Sequence, residues 1–136
     1  MIENVIIIGA GNLATQLALA LTEKGIQVKQ VFSRKLESAS ALAEKVNAAF
    51  TNDLSQLLPE ADLYIVAVKD SAIQEVLENL HIKNYQLIVH TAGSVPMSIL
   101  DGFSNNYGVF YPLQTFSKNR KIDFSTIPIC IEASHP

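Results

Sequence analysis

Cysteine, long apolar runs and a strong charge of either sign are what this sequence has little of. A single cysteine, Cys130, excludes an internal disulfide framework and any cysteine-based zinc cluster. No apolar run reaches the roughly 18 residues that a membrane-spanning helix needs. The opening Met1-Ile2-Glu3-Asn4 carries no basic region, so no secretory signal is expected there. The net charge of −3 argues against nucleic-acid binding by bulk electrostatics. His81, His90 and His135 are scattered without metal-ligand spacing, so no metal is expected. No Ser-His-Asp arrangement is legible, and no lysine follows the glycine-rich turn as in an NTPase loop.

What is present points to one folded domain. The 136 residues are 49% hydrophobic and 17% charged, which excludes disorder and suffices for a buried core. A cytoplasmic domain is the expectation. Val5-Ile6-Ile7-Ile8 is an apolar, β-branched run stopped by Gly9, as in a strand buried on both faces. Leu13, Leu17, Ala20 and Leu21 follow at helical spacing, ending at Gly25. Further strands are predicted over 28–32, 48–50, 63–68, 87–89, 107–110 and 127–131. A second helix carries Leu36, Ala39, Leu42, Ala43 and Val46, and 54–58 predicts a short helix closed by Pro59. Ser71-x-x-Gln74 has the pattern of a capping box for a helix with Ile73, Val76, Leu77 and Leu80. Residues 94–100 read as a short helix or turn, and 117–125 as a polar loop. Strands alternating with helices predict a Rossmann-type α/β fold: a doubly wound, mainly parallel sheet with helices on both faces. The chain stops at Pro136 soon after a strand, with no closing helix, so residues 1–136 are expected to be one domain that lacks a companion.

The chemistry lies first in Gly9-Ala10-Gly11-Asn12-Leu13-Ala14, a G-x-G-x-x-A turn between the first strand and the first helix. Gly9 permits the tight turn, Gly11 lets a pyrophosphate approach the backbone, and Ala14 lets helix and sheet pack closely. Phosphates then sit at the helix N-terminus, where free N–H groups and the dipole favour anions. Asn12 and Leu13 open that helix. At the end of the second strand, NAD sites carry an acid for the ribose 2′-hydroxyl. This chain has Phe32-Ser33-Arg34-Lys35 instead. Arg34 can take a 2′-phosphate, Ser33 can donate to it and Lys35 adds a charge, which favours NADP over NAD. The plainer reading of Arg34 and Lys35 is a solvated helix start.

With both pieces in place, the chain resembles the superfamily of two-domain NADP oxidoreductases that includes pyrroline-5-carboxylate reductase and the deazaflavin-dependent NADP reductases. Residues Gly9 to Ala14 resemble the reductase's Gly-x-Gly-Asn-Met-Ala turn, and Ser33-Arg34 its Asn-Arg pair. Val66-Ala67-Val68-Lys69 resembles its Ala-Val-Lys-Pro segment, with Asp70 in place of the proline. His90-Thr91-Ala92-Gly93-Ser94 falls at its Ala-Gly turn. The details resemble a little-characterised branch with a His-Ser/Thr-x-Gly turn and a Pro-Leu-Gln-x-Phe segment, here Pro112 to Phe116. That segment is also similar to the His-Pro-Met-x-Gly loop of prephenate dehydrogenase, with Tyr111 where the loop has its histidine. The resemblance implies a helical second domain that supplies homodimer contacts and much of the substrate pocket.

Ligands of open α/β sheets bind at the carboxyl ends of the strands. Val68, Lys69, Ala92 and Gly93 should therefore line the cofactor crevice, with Lys69 otherwise a surface lysine. Asp70 reads as a helix cap before it reads as catalytic. His90 is the catalytic candidate, since its ordinary pKa near about 6.5 suits acid–base work. Contact with the cofactor, or a hydrogen-bonded structural histidine, are its other readings. Tyr111 and Gln114 are candidates for the substrate side, with a core wedge the plainer role for Tyr111. His81 reads as a solvated helix end, and Cys130 as a buried, inert thiol. The expected function is hydride transfer between NADP(H) and a small C=N or C=O substrate. The rival is a redox-silent dinucleotide sensor acting through a partner protein, which the fold alone does not separate.

Overall fold

The computed structural model describes residues 2–112 and 129–133, with only the backbone described for Pro112 and for the last five. Strand β1 (Asn4–Ile8) leads into helix α1 (Asn12–Glu23), and β2 (Gln27–Phe32) into α2 (Leu36–Val46). Then follow β3 (Ala49–Thr51), β4 (Leu63–Val66), the short α3 (Ile73–Glu78), β5 (Leu87–His90), β6 (Asn106–Pro112) and β7 (Ile129–Ala133). Three single 3₁₀ turns, at Leu54–Gln56, Asp70–Ala72 and Met97–Leu100, fill the connections. Gln114, the 117–125 stretch and His135 lie outside the described residues.

The strands form a seven-stranded sheet in the order β3-β2-β1-β4-β5-β6-β7. Strands β1 to β6 run parallel, and β7 returns antiparallel beside β6. The continuous apolar runs explain this arrangement. Strand β1 is buried on both faces, with its odd residues under α1 and α2 and its even residues under α3. Val5 and Ile7 pack with Ala14, Leu17 and Ala18 of α1 and with Leu42, Ala43 and Val46 of α2. On the opposite face Ile6 and Ile8 join Tyr64, Val66, Ile88 and the α3 residues Ile73, Val76 and Leu77. Among the described residues no helix is long and apolar enough to cross a membrane.

Two expected local details differ. The Ser71–Gln74 capping box does not form. A 3₁₀ turn precedes α3, so Ala72 stands at the cap position without a side-chain bond. Gln74 points forward and donates to Glu78 Oε1 (3.1 Å). Asp70 does not cap the helix either: it lies within the 3₁₀ turn, and its carboxylate accepts a hydrogen bond from the Ser94 hydroxyl. The short helix expected over 54–58 is one 3₁₀ turn, capped by Asp53.

Candidate functional site

The register decides where the site lies. Phe32, Ile8, Val66, His90 and Val109 are Cα partners in a row across β2, β1, β4, β5 and β6. The segments after these residues therefore emerge at one end of the sheet. They are the glycine turn, Ser33 to Lys35, Ala67 to Lys69, Thr91 to Ser94, and the end of β6. The chain winds outward from β1 in one direction and restarts in the other with β4. The glycine turn thus sits at the switch point, where a crevice opens in folds of this kind.

The two glycines of the turn differ in what surrounds them. Gly9 has φ +129°, and a Cβ there would stand 2.3 Å from the carbonyl oxygen of Ala67. Its N–H donates to Phe32 O (2.7 Å), while Ala67 N–H donates to Ile8 O (2.8 Å). Gly9 is therefore required by the close approach of β1 to the end of β4. Gly11 has open space where its side chain would be, with no atom within 4 Å. It is the N-cap of α1, and its carbonyl accepts from Thr15 N–H (3.0 Å). No side chain caps α1 and its first turn contains no acid. An open cradle at an uncapped, twelve-residue helix fits a phosphate group. Asn12 is exposed and Leu13 half-buried at this opening.

The 2′-phosphate candidates stand at the same rim. The Ser33 N–H donates to Thr51 O (3.2 Å), which ties the turn after β2 to β3. Arg34 is exposed and pairs with the Glu75 carboxylate on α3. Lys35, also exposed, is the N-cap of α2, and its carbonyl accepts from Ser38 and Ala39. Beside Arg34 lies a cleft of about 590 Å³ whose walls include Phe32, Asn52, Asp53, Ser55, Glu75, Val76, Asn79 and His81. The sequence pattern missed the β3 and α3 contributions to this wall. The rule that ligands sit at strand carboxyl ends could have found Asn52 and Asp53, which follow β3. Glu75 and Asn79 left no such signal. Two bonds from Ser55, one from its hydroxyl and one from its N–H, hold the Asp53 carboxyl below its ordinary range. His81 is exposed, as expected of a solvated helix end, and it also lines the cleft.

On the β4–β5 side of the crevice, Val68 is half-buried and Lys69 exposed. Ser94 and Asp70 join the turns after β5 and β4. Ala92 is buried and packs with the α3 side of the core. Gly93 is exposed to solvent yet lies under the ring of Tyr111. His90 is fully buried. Its Nδ1 accepts the Ala92 N–H (3.1 Å), and its Nε2 stands 3.4 Å from the Pro96 carbonyl. That geometry suits the Nε2–H tautomer and the reading of a structural, hydrogen-bonded histidine. Tyr111 is half-buried against Gly93. Gln114 lies outside the described residues. Cys130 pairs with Tyr111 in the antiparallel β6–β7 register. Among the described residues no three His, Cys, Asp or Glu side chains gather as a metal site would need.

Comparison with known proteins gives this crevice its context. Residues 4–93 match the family model described as NADP oxidoreductase, coenzyme F420-dependent. Pyrroline-5-carboxylate reductase of Aquifex aeolicus is 32% identical over 98 residues, which are 72% of this chain and 34% of the reductase. A solved Bacteroides fragilis protein assigned as an NADP oxidoreductase is 53% identical, with a TM-score of 0.92 over 97% of this chain and 52% of its own. Prephenate dehydrogenase of A. aeolicus, solved with hydroxyphenyl propionate and NAD+, shares the fold at 13% identity, with a TM-score of 0.81 over 96% of this chain and 50% of its own. The chain thus spans about a third of the curated reductase and about half of the two solved proteins.

Proposed function

The chain belongs to the family of coenzyme F420-dependent NADP oxidoreductases, and from that premise we propose that it is the cofactor-holding half of an enzyme that passes a hydride between NADP(H) and a small C=N or C=O substrate. It is a pyrroline-5-carboxylate-reductase-like Rossmann domain and binds NADP(H). The observation that carries the proposal is the open cradle at Gly11 on the same rim as Ser33 and Arg34. In this reading the N-terminus of α1 holds the pyrophosphate, and Ser33, Arg34 and Lys35 hold the 2′-phosphate. Val68, Lys69, Ala92 and Gly93 flank the nicotinamide end.

The bound cofactor supplies the hydride, and the protein supplies position and electrostatics. Tyr111 contributes a wall to the substrate side. His90 orients the 92–96 turn through its ring nitrogens and is a positioning residue. The group that protonates the reduced product, and the opposite wall of the substrate pocket, belong to a further domain that also carries the dimer contacts. Closing that wall orients the reactants and excludes water, which can lower a barrier by several kcal/mol.

The experiment is a pair of measurements. NADPH should bind the 136-residue chain in a fluorescence titration, while NADPH oxidation with cyclic imine or keto substrates should require a longer form. Robust turnover by the 136-residue chain alone would overturn the division of labour and return the catalytic role to His90, Lys69 and Tyr111.

A further inference from the structure

Arg34 follows β2 and Glu75 stands on α3, 41 residues further along, yet their side chains form an ion pair at the mouth of the cleft. Both are well exposed, at 58% and 66%. An exposed pair of this kind contributes little to stability, so its consequence lies in what it does to a ligand. We propose that Glu75 is a specificity-determining residue of the dinucleotide site, with its carboxylate acting against the 2′-phosphate of NADP(H) and in favour of the free 2′-hydroxyl of NAD(H). The inference rests on the reading of Ser33 and Arg34 as the ribose end of the site.

Two effects oppose the phosphate. The carboxylate occupies a guanidinium N–H that a 2′-phosphate would use, and its charge repels the phosphate. The free hydroxyl of NAD(H) carries no charge and can donate to a carboxylate, as it does in sites with an acid at the end of the second strand. Here that strand ends without an acid, and α3 brings one to the same arginine. The cleft wall carries another carboxylate, Asp53, whose Oδ1 is already engaged by Ser55 N–H (2.9 Å) and Oγ (2.8 Å). Glu75 is the carboxylate paired with the arginine. On this reading the wild type prefers NADPH by less than Arg34 without its partner would give.

The test is the dissociation constants of NADPH and NADH, by fluorescence titration, for the wild type, Glu75→Gln, Arg34→Ala, the double variant and Glu78→Gln. Glu78 is exposed on the same helix, outside the cleft wall, and controls for a general change of charge. Glutamine keeps the size of the side chain and a hydrogen-bond acceptor while removing the charge. Glu75→Gln should raise the NADPH-over-NADH preference ratio, taken as Kd(NADH)/Kd(NADPH), about three- to tenfold, with the gain shrinking as salt is raised. Glu78→Gln should leave the ratio within about twofold. The gain from Glu75→Gln should shrink in the Arg34→Ala background, where no guanidinium remains to be occupied. An unchanged or lowered ratio in Glu75→Gln would overturn the proposal, as would an equal rise in Glu78→Gln. If Arg34→Ala leaves the wild-type ratio untouched, the ribose end lies elsewhere and the underlying reading fails with it. If Arg34→Ala collapses the ratio and Glu75→Gln does not raise it, the role of Glu75 alone is refuted.

Discussion

The ring of Tyr111 lies so close over Gly93 that a methyl group on Gly93 would stand 2.5 Å from both its Cδ2 and its Cε2. Tyr111 lies near the end of β6, and Gly93 lies in the turn after β5. The contact links the turn after β5 to β6, its neighbour in the sheet. A side chain at position 93 would have to displace that ring.

Adding a methyl group at Gly93 should therefore force the ring to move. Gly93→Ala should cost about 1–3 kcal/mol in the wild type, as overpacking does. In a Tyr111→Ala background the same substitution should cost much less. Urea denaturation midpoints of the four proteins measure the coupling. Equal losses in both backgrounds would mean that Tyr111 is not what excludes a side chain there.

The two glycines of the cofactor turn should separate fold from binding. Gly9→Ala meets the Ala67 carbonyl and an unfavourable φ, so it should destabilise by about 2–4 kcal/mol. Gly11→Val has free space to occupy and should leave the circular dichroism spectrum and urea midpoint nearly native. It should nevertheless abolish NADPH binding, because the valine fills the cradle at the N-terminus of α1. NADPH binding by Gly11→Val at wild-type strength would place the phosphates elsewhere.

Arg34→Ala should weaken NADPH by about tenfold and NADH far less, removing most of the preference between them. Raising salt should weaken NADPH more than NADH in the wild type, since a 2′-phosphate held by Arg34 would be bound ionically. Matching affinities for the two cofactors in the wild type would contradict the assignment of Ser33 and Arg34.

His90→Asn tests positioning against proton transfer. Asparagine cannot reproduce both ring contacts, so the 92–96 turn should loosen and NADPH should bind a few-fold more weakly. In a longer, active form the pH profile of kcat should keep its shape. Loss of one limb of that profile would show that His90 exchanges a proton in the reaction.

Asp62 offers a prediction for acid. The N–H groups of Glu3 (2.8 Å) and Asn4 (3.2 Å) donate to its carboxylate and hold it below the ordinary range. Asn4 Oδ1 in turn accepts the Asp62 N–H (2.9 Å), so the starts of β1 and β4 are clamped together. A carboxyl lowered on folding stabilises the fold fully above its unfolded pKa of about 3.9. That contribution disappears as pH falls through the lower, folded value. Asp62→Asn should flatten the fall in stability between neutral and acid pH, read from urea midpoints, and leave the dinucleotide affinity unchanged. An unaltered acid slope would mean that other carboxylates carry it.

The sequence by itself determined whatever depends on neighbours along the chain. The β-branched run Val5 to Ile8, the glycines that follow it and the helical spacing after them specify strand, turn and helix within a few residues. The lack of an acid after Phe32 was legible for the same reason. The expected capping box at Ser71 and Gln74 failed although it too is local, because the loop after β4 tightens into a 3₁₀ turn and Gln74 turns forward to Glu78. Tertiary structure alone decided the rest. The pairing of Arg34 with Glu75 requires β2 and α3 to reach the same rim, and the shielding of Gly93 requires β6 to lie beside β5. The burial of His90 follows from its register with Val66 on one side and Val109 on the other. Residue identity sets which chemistry is available, whereas strand order and register set which groups meet. No pattern read along a single stretch of chain carries that information.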